Sequence, residues 1–364
     1  MTPKLLPFAL TLFAIAGMLG GCGDDDAATL EETASTGAAG TVDEIVLVTH
    51  DSFAIPDEVL ARFETDTGVA VRVLRSGDAG AVVNQAILTK DNPIGDVLFG
   101  VDNTFLSRAL DADIFLPYES PRLQDVPADL QLDAAHRVTP IDVGNVCLNY
   151  DKAAFGGDAV AVPTSLDQLT DADYAGLLVV QDPTTSSPGL AFLLATIATF
   201  GEEGDYTWQT YWSELIANDV LVTSGWEEAY NGSFSGGSGQ GDRPLVVSYA
   251  SSPPAEVIFS DPQPAEAPTG IITDGCFRQI EFAGILQGTT AGDVAADFID
   301  FMLSPAFQEA IPLNMFVYPA NASAQLPPEF VEHTTLPTAA LTLDPAVIEA
   351  NRERWLREWI ELAR

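Results

Sequence analysis

Positive charge is scarce in this chain. Only 15 lysines and arginines stand against 53 aspartates and glutamates in 364 residues, a formal net charge of −38. A surface of that sign repels nucleic-acid phosphates, so the composition argues strongly against a nucleic-acid partner. Acidity can draw in a cationic ligand; it equally suits a saline habitat or plain solubility. Histidine and cysteine are just as rare, three of each. His50, His136 and His333 are scattered, and no Cys or His cluster has ligand spacing, so neither a metal site nor a cofactor is expected. Beyond residue 21 no apolar run is long enough to span a bilayer.

The N-terminus has its own logic. Lys4 precedes an apolar region from Leu5 to Leu19, the pattern of a signal peptide over residues 1–21. It ends in Leu19-Gly20-Gly21-Cys22, which resembles a bacterial lipobox; that resemblance implies cleavage before Cys22 and a diacylglycerol on its thiol. Residues 22–42 are rich in Asp, Ala, Thr and Gly with no apolar period, and read as a flexible acidic tether. The remaining 320 or so residues are long for one core and suit two lobes.

One stretch organises the rest, Val180-Gln181-Asp182-Pro183-Thr184-Thr185-Ser186-Ser187-Pro188-Gly189-Leu190. An apolar run from Leu177 to Val180 predicts a buried strand, and Ala191 to Phe200 a buried helix. Ser187 stands at the N-cap and Pro188 at the first helical position. Free N–H groups, a partial positive charge and two hydroxyls there could hold an acceptor-rich ligand. An ordinary capped helix has the same pattern. A second Ser-Ser-Pro, Ser251-Ser252-Pro253, follows the predicted strand Leu245 to Tyr249.

The first hundred residues of the domain alternate strand and helix, with strands at Glu44–His50, Val69–Leu74 and Asp96–Gly100. Such alternation predicts parallel βαβ units and an α/β class. Ligands of these sheets sit beyond the carboxyl ends of strands. The turns His50–Phe53, Gly77–Gly80 and Asp102-Asn103 all fall on that edge. Val138 to Asp151 is one long extended stretch that suits a crossing between lobes. The Gly/Ser-rich segment Asn231–Asp242 is expected to be a mobile surface loop. Cys276 to Ile285 predicts a strand, and Pro345 to Arg364 a terminal helix with Glu353 and Arg357 paired one turn apart. Cys147 and Cys276 are open to three readings: a disulfide, inert buried thiols, or a nucleophile.

Seven short runs in order carry a resemblance. They are Asp51-Ser52-Phe53, Gly100-Val101-Asp102-Asn103, the Gln181–Leu190 stretch, Gly225-Trp226-Glu227-Glu228-Ala229-Tyr230, Val247–Pro253, Ser304–Pro312 and Tyr318-Pro319-Ala320-Asn321. With them the chain resembles the periplasmic binding proteins of ABC transporters, in the thiamine-binding branch. The resemblance implies a two-lobed α/β fold (type II), each lobe a mixed, mostly parallel sheet flanked by helices, with the ligand in the interlobe cleft. The expected division is residues 41–140 plus 254–303 in one lobe and 141–253 plus 304–364 in the other. The implied function is a non-enzymatic, monomeric receptor, lipid-anchored in the periplasm or on the outer face of the cytoplasmic membrane. It would bind thiamine or its mono- or diphosphate and pass it to a membrane permease.

Ligand contacts carried over by position fall on Ala79, Gly80, Ser186, Ser187, Trp226, Tyr249, Ala250, Ser251 and Ser252. The family tends to carry tyrosine where His50 stands, an acid where Ala79 stands and tryptophan where Phe316 stands; Asp78, adjacent, can replace the acid, and Asp102 lies on the same edge. In an exported chain, Cys147 and Cys276 on strands near a lobe crossing are expected to form a disulfide. Two rivals remain. Thiamine-degrading enzymes share this fold family and use a cleft cysteine, which would be Cys147; or the receptor takes another cationic ligand or a metal ion.

Overall fold

Strand burial follows position in the sheet. The structure, a computed structural model, describes residues 42–155, 160–335 and 337–364. The expected signal peptide, lipidated Cys22 and most of the tether lie outside the described residues. The first half builds β1 (Glu44–Thr49), α1 (Asp57–Thr67), β2 (Ala70–Arg75), α2 (Ala79–Leu88), β3 (Val97–Asp102), α3 (Leu106–Asp111), β4 (Phe115–Leu116) and the long β5 (Thr139–Asp151). The middle adds β6 (Leu178–Gln181), α4 (Ser187–Phe200), α5 (Trp208–Ala217), β7 (Leu221–Thr223), β8 (Leu245–Tyr249) and α6 (Ser252–Ile258). The C-terminal third holds β9 (Thr269–Leu286), α7 (Gly292–Met302), α8 (Pro305–Gln308), α9 (Ile311–Asn314), β10 (Tyr318–Pro319), α10 (Pro328–His333) and α11 (Pro345–Leu362). Every residue of β3 and β6 is buried, because each has a strand on both sides; β2, at an edge, keeps polar arginines outward.

The strands form one ten-stranded sheet in the order β2-β1-β3-β9-β5-β8-β6-β7, with β4 on β9 and β10 on β5. At one end β1 runs parallel to β2 and β3. At the other, β6 runs parallel to β7 and β8. Between them β5 and β9 are antiparallel and paired along nearly their whole lengths, Thr139 opposite Ala283 and Asp151 opposite Thr269. The sheet is therefore mixed: parallel βαβ units at each end and two long antiparallel strands through the middle. The strand expected at Cys276–Ile285 is longer, because β5 supplies a partner from residue 269 onward.

Cys147 on β5 and Cys276 on β9 are joined in a disulfide, and both are buried. Cys147 thus has no free thiolate to act as a nucleophile. In α11, Trp355 and Trp359 are buried against the body of the domain. The expected Glu353–Arg357 pair does not form; Glu353 meets Arg108 at 3.1 Å and Arg352 at 3.4 Å instead. A partner on another helix, reached by tertiary packing, displaces the local one. Among the described residues no helix is long and apolar enough to cross a membrane.

Candidate ligand-binding site

The turns that follow the strands at both ends of the sheet meet over a cavity of about 300 Å³, the lower end of the range for small-molecule sites. From the β1–β3 end come His50, Ser52, Asp78 and Ala79; from the β6–β8 end come Ser187, Trp226, Tyr230, Tyr249, Ser252 and Glu256. Glu281 of β9, Glu227 and the Asn314–Val317 turn also line it.

Asp78 ties the two ends together. Its carboxylate caps α2 by accepting the Ala79 N–H at 2.7 Å, and it accepts the Trp226 N–H at 2.9 Å. Gly225 is what allows the second bond: a Cβ there would stand 2.7 Å from Asp78 Oδ2. Gly80 permits a similar approach within α2. Its N–H donates to the Thr185 carbonyl at 2.9 Å, and a Cβ would sit 2.7 Å from that oxygen. A third tie runs from the Ser52 hydroxyl to Glu227 at 3.1 Å.

Trp226 is half-buried and lies nearly parallel to Tyr230, ring centroids 5.0 Å apart at 13°. Its indole N–H donates to the Ser248 hydroxyl at 2.9 Å. The Tyr230 hydroxyl donates to Glu256 at 2.8 Å. The ring pair is thus fixed at its polar edges and presents an aromatic wall to the cavity.

The floor is acidic. His50 stands 3.7 Å from Glu281. Burial opposes the imidazolium charge, but Glu281, Asp78 and Asp51 outweigh it and raise the His50 pKa. Asp102, wholly buried behind Ser187, accepts from the Thr104 hydroxyl and N–H and the Phe105 N–H. Burial, with Glu281 adding to it against the Thr104 and Phe105 donors, pushes its pKa up to about 6. Burial also raises Asp78 against its two backbone donors, and burial and Glu281 raise Asp142 of β5. Among the described residues no three His, Cys, Asp or Glu side chains converge as a metal site.

Of the residues expected from sequence, His50, Asp78, Ala79, Ser187, Trp226, Tyr249, Ser252 and Phe316 line the cavity; Gly80, Ser186, Ala250, Ser251 and Asp102 do not. Gly80 is turned against Phe105 and Thr185. Ala250 packs behind the Cys147–Cys276 bridge. Ser251 donates to the Phe316 carbonyl, which steadies a residue in the left-handed region (φ 57°). Ser186 and Asp102 lie one layer below. Helix α4 begins one residue earlier than expected, with Ser186 at the cap, and neither serine makes a capping bond.

Among the lining residues that sequence reasoning misses are Tyr230, Glu256, Glu227 and Glu281. Tyr230 was legible, four residues after Trp226 on one turn of helix. Glu256 stands four residues after Ser252 on α6 by the same spacing. Glu281 had no local signal, since β9 reaches the floor only through its pairing with β3 and β5. Asn231–Asp242 is not a loose loop: Phe234 is fully buried, and Ser238 donates to Glu256. Its glycines let the backbone pack closely around that ring.

The sequence-family description of bacterial extracellular solute-binding proteins matches residues 92–341. The chain is 31% identical over 320 residues to the thiamine-binding periplasmic protein of Escherichia coli (strain K12), covering 86% of this chain and 92% of the relative. The thiamine-binding periplasmic protein of Brucella melitensis biotype 1 is 28% identical over 328 residues, with 89% and 93% covered. A solved periplasmic thiamin binding protein superposes with a TM-score of 0.77 at 28% identity, over 90% of this chain and 98% of that one. The two-ended mixed sheet, the cavity between its ends and these matches agree: the chain belongs to the bacterial extracellular solute-binding protein family.

Proposed function

We propose that this protein is a non-enzymatic receptor for thiamine, serving an ABC importer. The observation that carries the reading is the cavity itself. It pairs an aromatic wall, Trp226 over Tyr230, with an acidic floor and rim at Asp78, Glu256 and Glu281. Thiamine joins a flat aminopyrimidine to a cationic thiazolium, and both halves of that wall-and-acid arrangement suit it. The names of the relatives support the same ligand. Sequestering Cys147 in a disulfide weighs against a degrading enzyme, which would need it as a thiolate.

In this reading residues 41–140 plus 254–303 form one lobe and the rest of the domain the other. Closure is a hinge motion at Val138–Val143, Val247–Pro254 and about Leu303. Cys22 carries the lipid that holds the monomeric receptor at the outer face of the membrane. Titration calorimetry with thiamine tests the ligand: saturable one-to-one binding is expected, and its absence at millimolar thiamine overturns the proposal. Small-angle scattering tests the hinge, with compaction expected on saturation.

A further inference from the structure

Glu281 belongs to a row of acids. On β9 it stands directly opposite Asp102 of β3 and directly opposite Asp142 of β5. Residues paired in this way share one face of a sheet, where like charges side by side are unfavourable. All three side chains are buried. Asp102 is answered by the Thr104 and Phe105 donors. Among the described residues neither carboxyl oxygen of Asp142 has a hydrogen-bond partner, and burial with Glu281 beside it favours the neutral acid. Glu281 is the member of the row that reaches the cavity. Its Oε1 accepts from the Gln279 amide at 3.0 Å, and Gln279 in turn accepts from the Tyr249 hydroxyl at 3.3 Å.

One cation faces this row. His50 is 8% exposed, and its Nε2 stands 3.7 Å from Glu281 Oε2, too far for a hydrogen bond. Among the described residues no other partner reaches that nitrogen. The remaining charges around the imidazole are negative too: Asp78 at the start of α2 and Asp51 in its own turn. Tyr249 of β8 adds none, since burial and Glu281 keep its hydroxyl neutral. Phe99 of β3 covers the ring at 5.6 Å between centroids. Among the described residues no lysine or arginine lines the cavity, so His50 is the positive group there. A buried ring held by charge across a gap, with no hydrogen bond to fix it, is a counter-ion that another cation can replace.

We propose that His50 is an exchangeable counter-ion of the cavity: protonated while the site is empty, it gives up its proton when a cationic ligand enters. The inference rests on the thiamine reading above, from which it takes the positive charge of the ligand, and adds how binding depends on pH. An imidazolium and a thiazolium inside one cavity of about 300 Å³ repel each other. A ring N–H bond of His50 breaks, the proton passes to solvent, and a neutral imidazole stays behind. One positive charge enters and one leaves, so the charge facing the acid row is unchanged. In the empty site the acids hold the His50 pKa above its ordinary 6.5; with the ligand cation beside it, that pKa falls. Affinity therefore rises with pH across the window between the two values and is flat on either side of it.

The test is calorimetry with thiamine in pairs of buffers of different ionisation enthalpy, on the wild type, His50→Gln and Asp142→Asn. The wild type is expected to release on the order of half a proton per thiamine at about pH 7, and to bind severalfold more tightly at about pH 8 than at about pH 6.5. His50→Gln abolishes both effects. Asp142→Asn keeps both, because it fixes the neutral form of that acid. Should either variant fail to fold, ring-nitrogen NMR of the wild type decides: the chain has three histidines, and His50 is expected to change from imidazolium to imidazole when thiamine is added. Thiamine binding without proton release, or with the His50 ring unchanged, overturns the inference and leaves the thiamine reading standing. Release that survives His50→Gln, or that disappears in Asp142→Asn, belongs to another acid and overturns the exchange at His50. No binding of thiamine at any of these pH values overturns both readings.

Discussion

The two Ser-Ser-Pro segments share a sequence and diverge in structure. At Ser251-Ser252 both hydroxyls are tied inward, and through Ser248 they reach the Trp226 indole. At Ser186-Ser187 both are buried without a partner, and Ser187 borders the cavity. The motif specifies a helix start in each case. Ser187 and Ser252 both border the cavity; whether the hydroxyls are spent or left open is decided by what packs on them: Phe316 and β8 on one, Asp78 and Asp102 on the other. Buried hydroxyls left open are costly, and under the proposed function the ligand is what offsets that cost at one of two similar places.

The comparison can be broken first at Asp102, the acid behind Ser187. Its folded pKa of about 6 lies above the ordinary carboxyl value of 3.8. The folded state therefore holds the proton more tightly. Stability is intact below about pH 4, is lost as pH rises towards 6, and stays reduced above it, by up to about 3 kcal/mol. Asp102→Asn keeps the acceptor for Thr104 and Phe105 and removes the charge. Denaturant unfolding is expected to show the variant gaining up to that amount over wild type at pH 7.5 and little at pH 4; an equal difference at both would refute the assignment.

Trp226 comes next, on the side of the second motif. Trp226→Ala removes the aromatic wall and is expected to weaken thiamine binding by well over tenfold, about 2 kcal/mol. Its melting temperature should change little, because the ring is half-buried. Unchanged affinity with a large loss of stability would return Trp226 to the core.

The serines give the smaller effects and the sharpest contrast. Ser252→Ala strands the Tyr249 N–H and leaves the buried Ser248 hydroxyl with the Trp226 indole alone, and is expected to cost about 1–2 kcal/mol of stability by denaturant titration. Ser187→Ala removes an already unpartnered hydroxyl. It should leave stability unchanged or slightly raised and weaken thiamine by no more than about tenfold. If both variants behave alike, the distinction between the two helix starts fails.

Much of this was legible locally. Strand–helix alternation gave the α/β class, and the loops at His50, Asp78 and Trp226 were placed at the cavity because strand ends are marked by glycine and polar turns. Glycine also misled: in Asn231–Asp242 it permits close packing around Phe234 rather than looseness. Glu281 and the partner of Glu353 depend on pairing between segments far apart in the chain, and no local pattern records that. The spent hydroxyl of Ser251, on the Phe316 carbonyl, depends on it too, whereas that of Ser252 is held locally by Ser248 and Tyr249.

The place of β9 has a consequence for how the molecule is made. It lies between β3 and β5, yet it is the last long strand in the sequence. A chain released N-terminus first must wait for residue 286 before its two halves can be stitched. Until then β3 and β5 expose unpaired edges of buried, apolar strands, the kind that join to neighbouring chains. Newly made molecules thus pass through an interval in which they are adhesive, and an excess of acidic over basic residues, −38 over the full chain, is a charge that opposes their joining.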